Sequence, residues 1–198
     1  MQRAWFLGGA AALLTAVPIV GRAVDEPAHK TKGHVHGANG VVRIPEGRPL
    51  EMTMPVLDGP DFRLSAYAGK VVFLNVFATW CGPCRSEQTD LTAFAKAHAA
   101  DTVVVGLDYR EDDYAVRKYR SEFGIEYPIA MDRIGRIVPN IYAGHISYPT
   151  TLVVRPDRTL FCAWRGDRDR SWFEREREAA LAPPAQRVET AEPQKPPQ

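Results

Sequence analysis

Apolar positions along this chain follow two rhythms. Val71-Val72-Phe73-Leu74-Asn75-Val76-Phe77 is apolar throughout except for Asn75, the pattern of a parallel strand covered on both faces, which predicts the middle of a sheet. Thr102 to Leu107, rich in valine, predicts a second buried strand. Thr150 to Val154, a turn around Pro156-Asp157 and a return over Leu160 to Trp164 predict a hairpin. Shorter strands are expected in Leu50 to Leu57, in Phe62 to Leu64 beyond the turn Asp58-Gly59-Pro60-Asp61, and in Ile125 to Met131. Elsewhere the spacing becomes helical. Leu91, Phe94, Ala95 and His98 fall at i, i+3, i+4 and i+7 and predict the buried face of a helix from Pro83 to about His98, with Arg85, Gln88 and Lys96 outward. A second helix takes Glu111-Asp112-Asp113 in its first turn, turns Val116, Tyr119 and Phe123 inward and stops at Gly124. Ile134, Ile137, Val138, Ile141 and Tyr142 share helical spacing, with Pro139 confined to the first turn or breaking the run. Ser171 with Glu174 makes a capping box for a last helix that turns Trp172, Phe173 and Leu181 inward and ends at Pro183-Pro184. This order predicts an α/β layer with a central mixed sheet flanked by helices.

The ends of the chain follow neither rhythm. Arg3 precedes the uncharged, mainly apolar run Ala4 to Val20, and Gly21-Arg22-Ala23 offers small residues at a cleavage-like site. Residues 1–23 therefore read as a signal peptide or an N-terminal anchor, and both readings export the domain. Residues 24–49 carry His29, His34 and His36 without an apolar period and read as a flexible linker. Residues 50–182 form the domain, and the Pro-rich stretch 183–198 reads as a disordered tail. With 198 residues, 45% of them apolar, the chain can bury one substantial core. A net charge of +1 supplies no electrostatic footprint for nucleic acid. Three cysteines are too few for a disulfide scaffold, and one is left outside any pair.

Two of those cysteines follow the central strand, in Trp80-Cys81-Gly82-Pro83-Cys84. Their spacing puts the sulfurs within one turn of each other, as redox chemistry or half a metal site requires. A zinc site needs two further ligands, and Cys162 stands alone with no His pair at ligand spacing, so the redox reading is the better supported. With Pro83 in the first turn, Cys81 precedes the helix, where unpaired N–H groups and the positive end of the macrodipole favour a thiolate. Cys81 is then the attacking nucleophile. Cys84, one turn in, is placed to resolve the mixed disulfide that Cys81 forms. Trp80 offers a flat surface to a partner, and Gly82 lets the partner backbone come close. Met52 and Met54, a pairing that could suit Cu(I), read instead as one face of a short strand. Cys162 reads as a small buried hydrophobe, and His98 as a capping or surface residue.

The Trp-Cys-Gly-Pro-Cys motif, the preceding Val-Val-Phe-Leu-Asn-Val-Phe-Ala-Thr, Phe62-Arg63-Leu64-Ser65 with Gly69-Lys70, and Tyr148-Pro149-Thr150-Thr151 together resemble the TlpA/ResA-type thiol:disulfide reductases of the thioredoxin superfamily, over roughly residues 50 to 182. The resemblance implies a thioredoxin-like fold with an N-terminal strand extension. It implies that Pro149 is a cis-proline packed against the disulfide, leaving the backbone of Tyr148 free to pair with a substrate peptide. It also matches Glu87 to a glutamate beneath the active site that relays the proton of the resolving thiol. Thr89 stands where the family usually has a proline. The approach to Pro149, which includes His145, is slightly long for the family.

The expectation is an exported enzyme that reduces disulfides of extracytoplasmic client proteins, such as those of cytochrome c maturation or copper-site cysteines. By resemblance it draws electrons from a membrane thiol donor. Its catalytic residues are Cys81, Cys84 and Glu87, and Trp80, Gly82, Pro83, Tyr148 and Pro149 bind substrate. It needs no cofactor beyond its own disulfide and no metal. The alternatives are a disulfide-forming oxidant, which uses the same residues, and a non-enzymatic copper-delivery protein using His29, His34, His36, Met52 and Met54. A peroxidase would show a lone cysteine with a nearby threonine rather than a C-x-x-C.

Overall fold

The computed structural model describes residues 42–44 and 47–182. In chain order the elements are β1 (Thr53–Met54), β2 (Phe62–Arg63), β3 (Val71–Phe77), α1 (Gly82–Ala97), β4 (Thr102–Tyr109), α2 (Asp113–Glu122), β5 (Ile129–Asp132), α3 (Val138–Ile141), β6 (Thr150–Val154), β7 (Leu160–Arg165) and α4 (Arg170–Leu181). A five-stranded sheet runs β5-β4-β3-β6-β7. β3 lies at its centre, parallel to β4 from Val71↔Thr102 to Phe77↔Asp108 and antiparallel to β6 from Val72↔Val154 to Val76↔Thr150. Every residue of β3 is buried, as a run apolar at all positions but Asn75 requires.

The sheet separates two cores. On one face Val71 and Phe73 meet Leu91 and Phe94 of α1 and Trp172 and Phe173 of α4. Phe73 meets Phe94 and Phe173 edge-on at centroid distances of 5.0 and 6.0 Å, an arrangement that adds to the stabilisation from burial, about 1.5–3 kcal/mol per large apolar side chain. On the other face Val72, Leu74 and Val76 pack with Val105, Leu107, Leu152, Tyr142 and the N-terminal Met54 and Phe62. A third cluster gathers at the carboxyl end of β3, where Phe77, Val116, Tyr119 and Met131 surround Cys81 and Cys84. The two cores hold β3 rigid, and the third carries the sulfurs.

Several elements differ from the pattern-based expectation. Val42 is buried and bridges Tyr142, so packed chain begins ahead of Leu50. Gln88, expected outward, is buried because its amide serves the buried Tyr119 and the half-buried Tyr127. The strand expected over Ile125 to Met131 is Ile129–Asp132. The helix expected around Ile134 to Tyr142 shrinks to Val138–Ile141, and Ile134 is exposed. Its N-terminus is held by the buried Asp132 carboxylate, which accepts from the N–H groups of Arg136, Ile137 and Val138. α4 is capped by Asp169, which accepts from Trp172 N, while Ser171 donates to Asp169 instead of capping. Leu181, expected inward, lies exposed where the helix ends. Among the described residues no helix is long and apolar enough to cross a membrane. Residues 1–23, most of 24–49 and the tail from 183 lie outside the described residues.

Candidate active site

β3 delivers the chain into Ala78-Thr79-Trp80 and then into α1. Cys81 is the N-cap of α1, with extended backbone (φ −75°, ψ 115°), and its Sγ accepts from the N–H of Cys84 at 3.2 Å. Gly82 and Pro83 fill the first two helical positions, where a missing N–H costs nothing. Cys81 and Cys84 are joined in a disulfide with Cα atoms 5.3 Å apart. Cys81 is 5% exposed and Cys84 1%, so the residue that begins the helix is also the more accessible. Trp80 is 71% exposed, and its ring stands edge-on to Tyr148 at 5.6 Å.

The Tyr148–Pro149 peptide is cis. Tyr148 packs against the cluster that holds both cysteines. Its loop is anchored on each side: Tyr142 and Thr150 hydroxyls donate to Ser147 O at 3.1 and 2.8 Å, and Gly166 N donates to Pro149 O at 2.9 Å. The pairing of Val76 with Thr150 brings this loop to the end of β3. Trp80, Cys81, Cys84, Tyr148 and Pro149, separated by more than sixty positions of chain, thus converge on one rim. Gly82 and Pro83 stay exposed there.

Glu87 lies one turn after Cys84 and is 2% exposed. Its Oε1 accepts from Asn75 Nδ2 at 2.7 Å and its Oε2 from the backbone N–H of Arg168 at 3.0 Å. Asn75 Nδ2 also lies 3.0 Å from Thr151 Oγ1. The single polar residue of β3 therefore exists to serve a carboxyl group. Burial pushes Glu87 up to about 7, against the downward pull of the Asn75 and Arg168 donors. Thr89, in the position of the family proline, is exposed, and α1 runs unbroken past it. The substitution leaves Glu87 buried.

Beneath α1 a buried chain of polar groups supports the helix. Tyr119 Oη lies 3.3 Å from Cys84 O and 3.1 Å from Gln88 Oε1, and Gln88 Nε2 donates to Tyr127 Oη at 2.5 Å and Thr92 Oγ1 at 3.0 Å. Ahead of the disulfide in the chain, Thr79 is held by Glu111, which accepts from Thr79 N at 2.7 Å and from Thr79 Oγ1 at 2.6 Å. Asp108, at the end of β4, is wholly buried beside it. Sequence reasoning treats Glu111, Asp112 and Asp113 alike, as helix-start acids. In the structure only Asp113 is inside α2, Asp112 is its N-cap, and Glu111 turns back to the active-site segment. The signal that could have separated them is the lone carboxylate of Asp108 closing a valine-rich strand.

Other candidates stay apart from this rim. His145 is exposed, and His98 ends α1 with its Nε2 2.6 Å from Glu174. Cys162 is buried in β7, its thiol pushed well up by burial and by the Glu176 carboxylate 3.6 Å away. Met54 is buried in β1 and Met52 packs on the same core. His29, His34 and His36 lie outside the described residues. Among the described residues no group of three or more His, Cys, Asp or Glu could hold a metal ion.

Residues 47–161 match the family model described as the AhpC/TSA family. The chain belongs to that family. Within the AhpC/TSA family it is similar to the thiol-disulfide oxidoreductase ResA of Bacillus thuringiensis subsp. konkukian, 29% identical over 119 residues that make up 60% of this chain and 68% of ResA. It is also similar to the thioredoxin-like protein YneN of Bacillus subtilis, 31% identical over 57% of this chain and 67% of YneN. Among solved structures, a thiol:disulfide interchange protein of the thioredoxin family from Chlorobium tepidum covers 70% of this chain and 98% of its own, with 29% identity and a TM-score of 0.62. This AhpC/TSA member has a thioredoxin-like fold, and with its C-x-x-C pair it is a ResA-like thiol-disulfide oxidoreductase.

Proposed function

We propose that the protein is an exported reductase that transfers electrons from Cys81 and Cys84 to disulfides of client proteins. The observation that carries this reading is the placement of Cys81 as N-cap of α1, more accessible than Cys84, beside the cis Tyr148–Pro149 peptide. The Cys81 thiolate attacks one sulfur of a client disulfide, and the other client sulfur leaves as a thiolate. Cys84 loses its proton to Glu87, whose titration near 7 suits it to accept and release a proton at neutral pH. The Cys84 thiolate then attacks Cys81 Sγ and expels the second client sulfur. Two electrons have moved to the client, and the enzyme is left as the disulfide. A membrane thiol donor returns it to the dithiol. Trp80 and Tyr148 give the client an aromatic surface, exposed Gly82 and Pro83 let its backbone approach, and the residue before Pro149 offers it a backbone partner.

The compartment follows from residues 1–23, read as a signal peptide or anchor, and from the relatives; an extracytoplasmic location exposes the protein to clients of cytochrome c maturation or copper-site assembly. The Cys81/Cys84 disulfide is the redox centre, with no other cofactor and no metal. The reduction potential of the pair, measured against glutathione and thioredoxin standards, tests the direction. A value near about −270 mV supports the reductase, and one near about −120 mV would make the protein an oxidant.

A further inference from the structure

Beyond the redox pair, the most unusual group in the molecule is Asp108. It closes β4 opposite Phe77, which leads directly into Ala78-Thr79-Trp80-Cys81. Asp108 is fully buried; its Oδ1 accepts from Glu111 N at 3.2 Å, and its Oδ2 meets no hydrogen-bond partner among the described residues. An unpartnered carboxylate oxygen in the core costs several kcal/mol unless it holds a proton. Its neighbour Glu111 does not rest in solvent either. Glu111 spends both of its oxygens on Thr79, one on the backbone N–H and one on the hydroxyl, across the gap between β3 and the start of α2.

We propose that Asp108 and Glu111 act together as a positioning pair for the attacking sulfur: Glu111 clamps the Thr79-Trp80-Cys81 segment, and Asp108, held neutral beside it, keeps the clamp closed. A Glu111 carboxylate with a neutral neighbour accepts both Thr79 donors without opposition. Ionised, Asp108 sets a buried negative charge against the half-buried Glu111 carboxylate, and the two repel. The groups that face Asp108 sort accordingly. Its own loop brings Glu111, the loop after β5 brings Arg133, and the loop before β6 brings Tyr148, whose hydroxyl is pushed up first by burial and then by Tyr109 and the two acids. β3 brings uncharged Phe77, and the segment ahead of α1 reaches the pair through Thr79, on Glu111. Burial, and after it the adjoining Glu111 side chain through hydrogen bonding and then charge, push Asp108 up to about 8, so the clamp stays closed at neutral pH and loosens above it. Arg133 tempers the repulsion, but its guanidinium is paired with Asp113.

This inference rests on Cys81 being the reactive thiol, and the test separates it from the question of what the enzyme reduces. The reduced full-length protein is alkylated with iodoacetamide across pH, and modification of Cys81 is followed by peptide mass spectrometry. Wild type is expected to gain rate as the thiolate forms and to lose rate again above about pH 8. Asp108→Asn keeps the first rise and loses the later fall. Glu111→Gln slows Cys81 about tenfold with its near-UV spectrum retained, a loss within what a small misplacement of a reacting group costs. Thr79→Val, which removes only the hydroxyl arm, gives a smaller slowing and serves if Glu111→Gln does not fold. Identical profiles in wild type, Asp108→Asn and Thr79→Val would overturn the proposal. A parallel insulin-reduction assay reads the reductase itself: if it is inactive while the profiles shift as described, the clamp stands and the function reading fails.

Discussion

Glu87 and Asp108 are both carboxyl groups sealed in the core, one in α1 and one at the end of β4, and the protein treats them differently. Glu87 receives a donor on each oxygen, from Asn75 Nδ2 and from Arg168 N. Asp108 receives one donor on one oxygen, and a second carboxylate stands next to it. Burial raises both, but donors hold Glu87 to about 7 while the like charge carries Asp108 to about 8. Burial sets the direction of a shift and local partners decide where the titration lands. On the proposed roles, the carboxyl group one turn after Cys84 exchanges protons at neutral pH, and the one next to the Glu111–Thr79 clamp stays protonated.

The contrast breaks most completely when the sulfurs themselves are removed. Cys81→Ser and Cys84→Ser should both drop insulin reduction to the uncatalysed rate, yet only Cys84→Ser should accumulate mixed disulfides with clients on non-reducing gels. Capture by Cys81→Ser instead would exchange the two roles. Glu87→Gln should slow the release of a client from a preformed mixed disulfide by about a hundredfold, as loss of general acid–base help does, with the initial attack little changed. The same variant sharpens a stability difference. Because Glu87 titrates near 7 in the folded protein and near 4.5 when exposed, the folded state keeps a proton that the unfolded chain has lost, and stability falls as pH rises through that window. Urea unfolding of the oxidised protein should therefore lose about 3 kcal/mol more between pH 4.5 and 8 in wild type than in Glu87→Gln. Asn75→Ala, which removes one of the two donors, should move the Glu87 titration above 7 and cost about 1–3 kcal/mol. Trp80→Ala should be the mildest in stability, within about 0.5 kcal/mol of wild type, while raising KM for a folded disulfide client more than it lowers kcat.

Much of this architecture is legible in the residues because a few positions are over-determined. β3 can only be central, since a run apolar at all positions but Asn75 needs cover on both faces, and its observed span is the expected one. The start of α1 follows from Pro83, and the end of α2 from Gly124, whose positive φ of 59° ends the helical path. What the pattern hides is polar burial. Gln88 reads as a surface residue because helix periodicity counts apolar positions, whereas its place is decided by Tyr119 and Tyr127, far away in the chain. Glu111 reads as a dipole complement for the same reason. An acid that complements a helix dipole and one bound to Thr79 look alike until the strands are paired. Glu87 is visible in the sequence only through a family resemblance, and its depth comes from Asn75 of β3, itself held by Thr151 of β6, and from Arg168 ahead of α4.

The antiparallel pairing of β3 with β6, Asn75 opposite Thr151 and Val76 opposite Thr150, makes the functional rim a late product of assembly. Contacts so distant in sequence form only after the loop between them has closed, and such long closures are slow to form. A chain emerging amino-end first carries both thiols well before it carries Pro149. During that interval it is a peptide with two reactive sulfurs and no means of choosing what they meet. A fragment ending short of Thr150 would keep the whole Trp-Cys-Gly-Pro-Cys sequence and behave as an unselective dithiol.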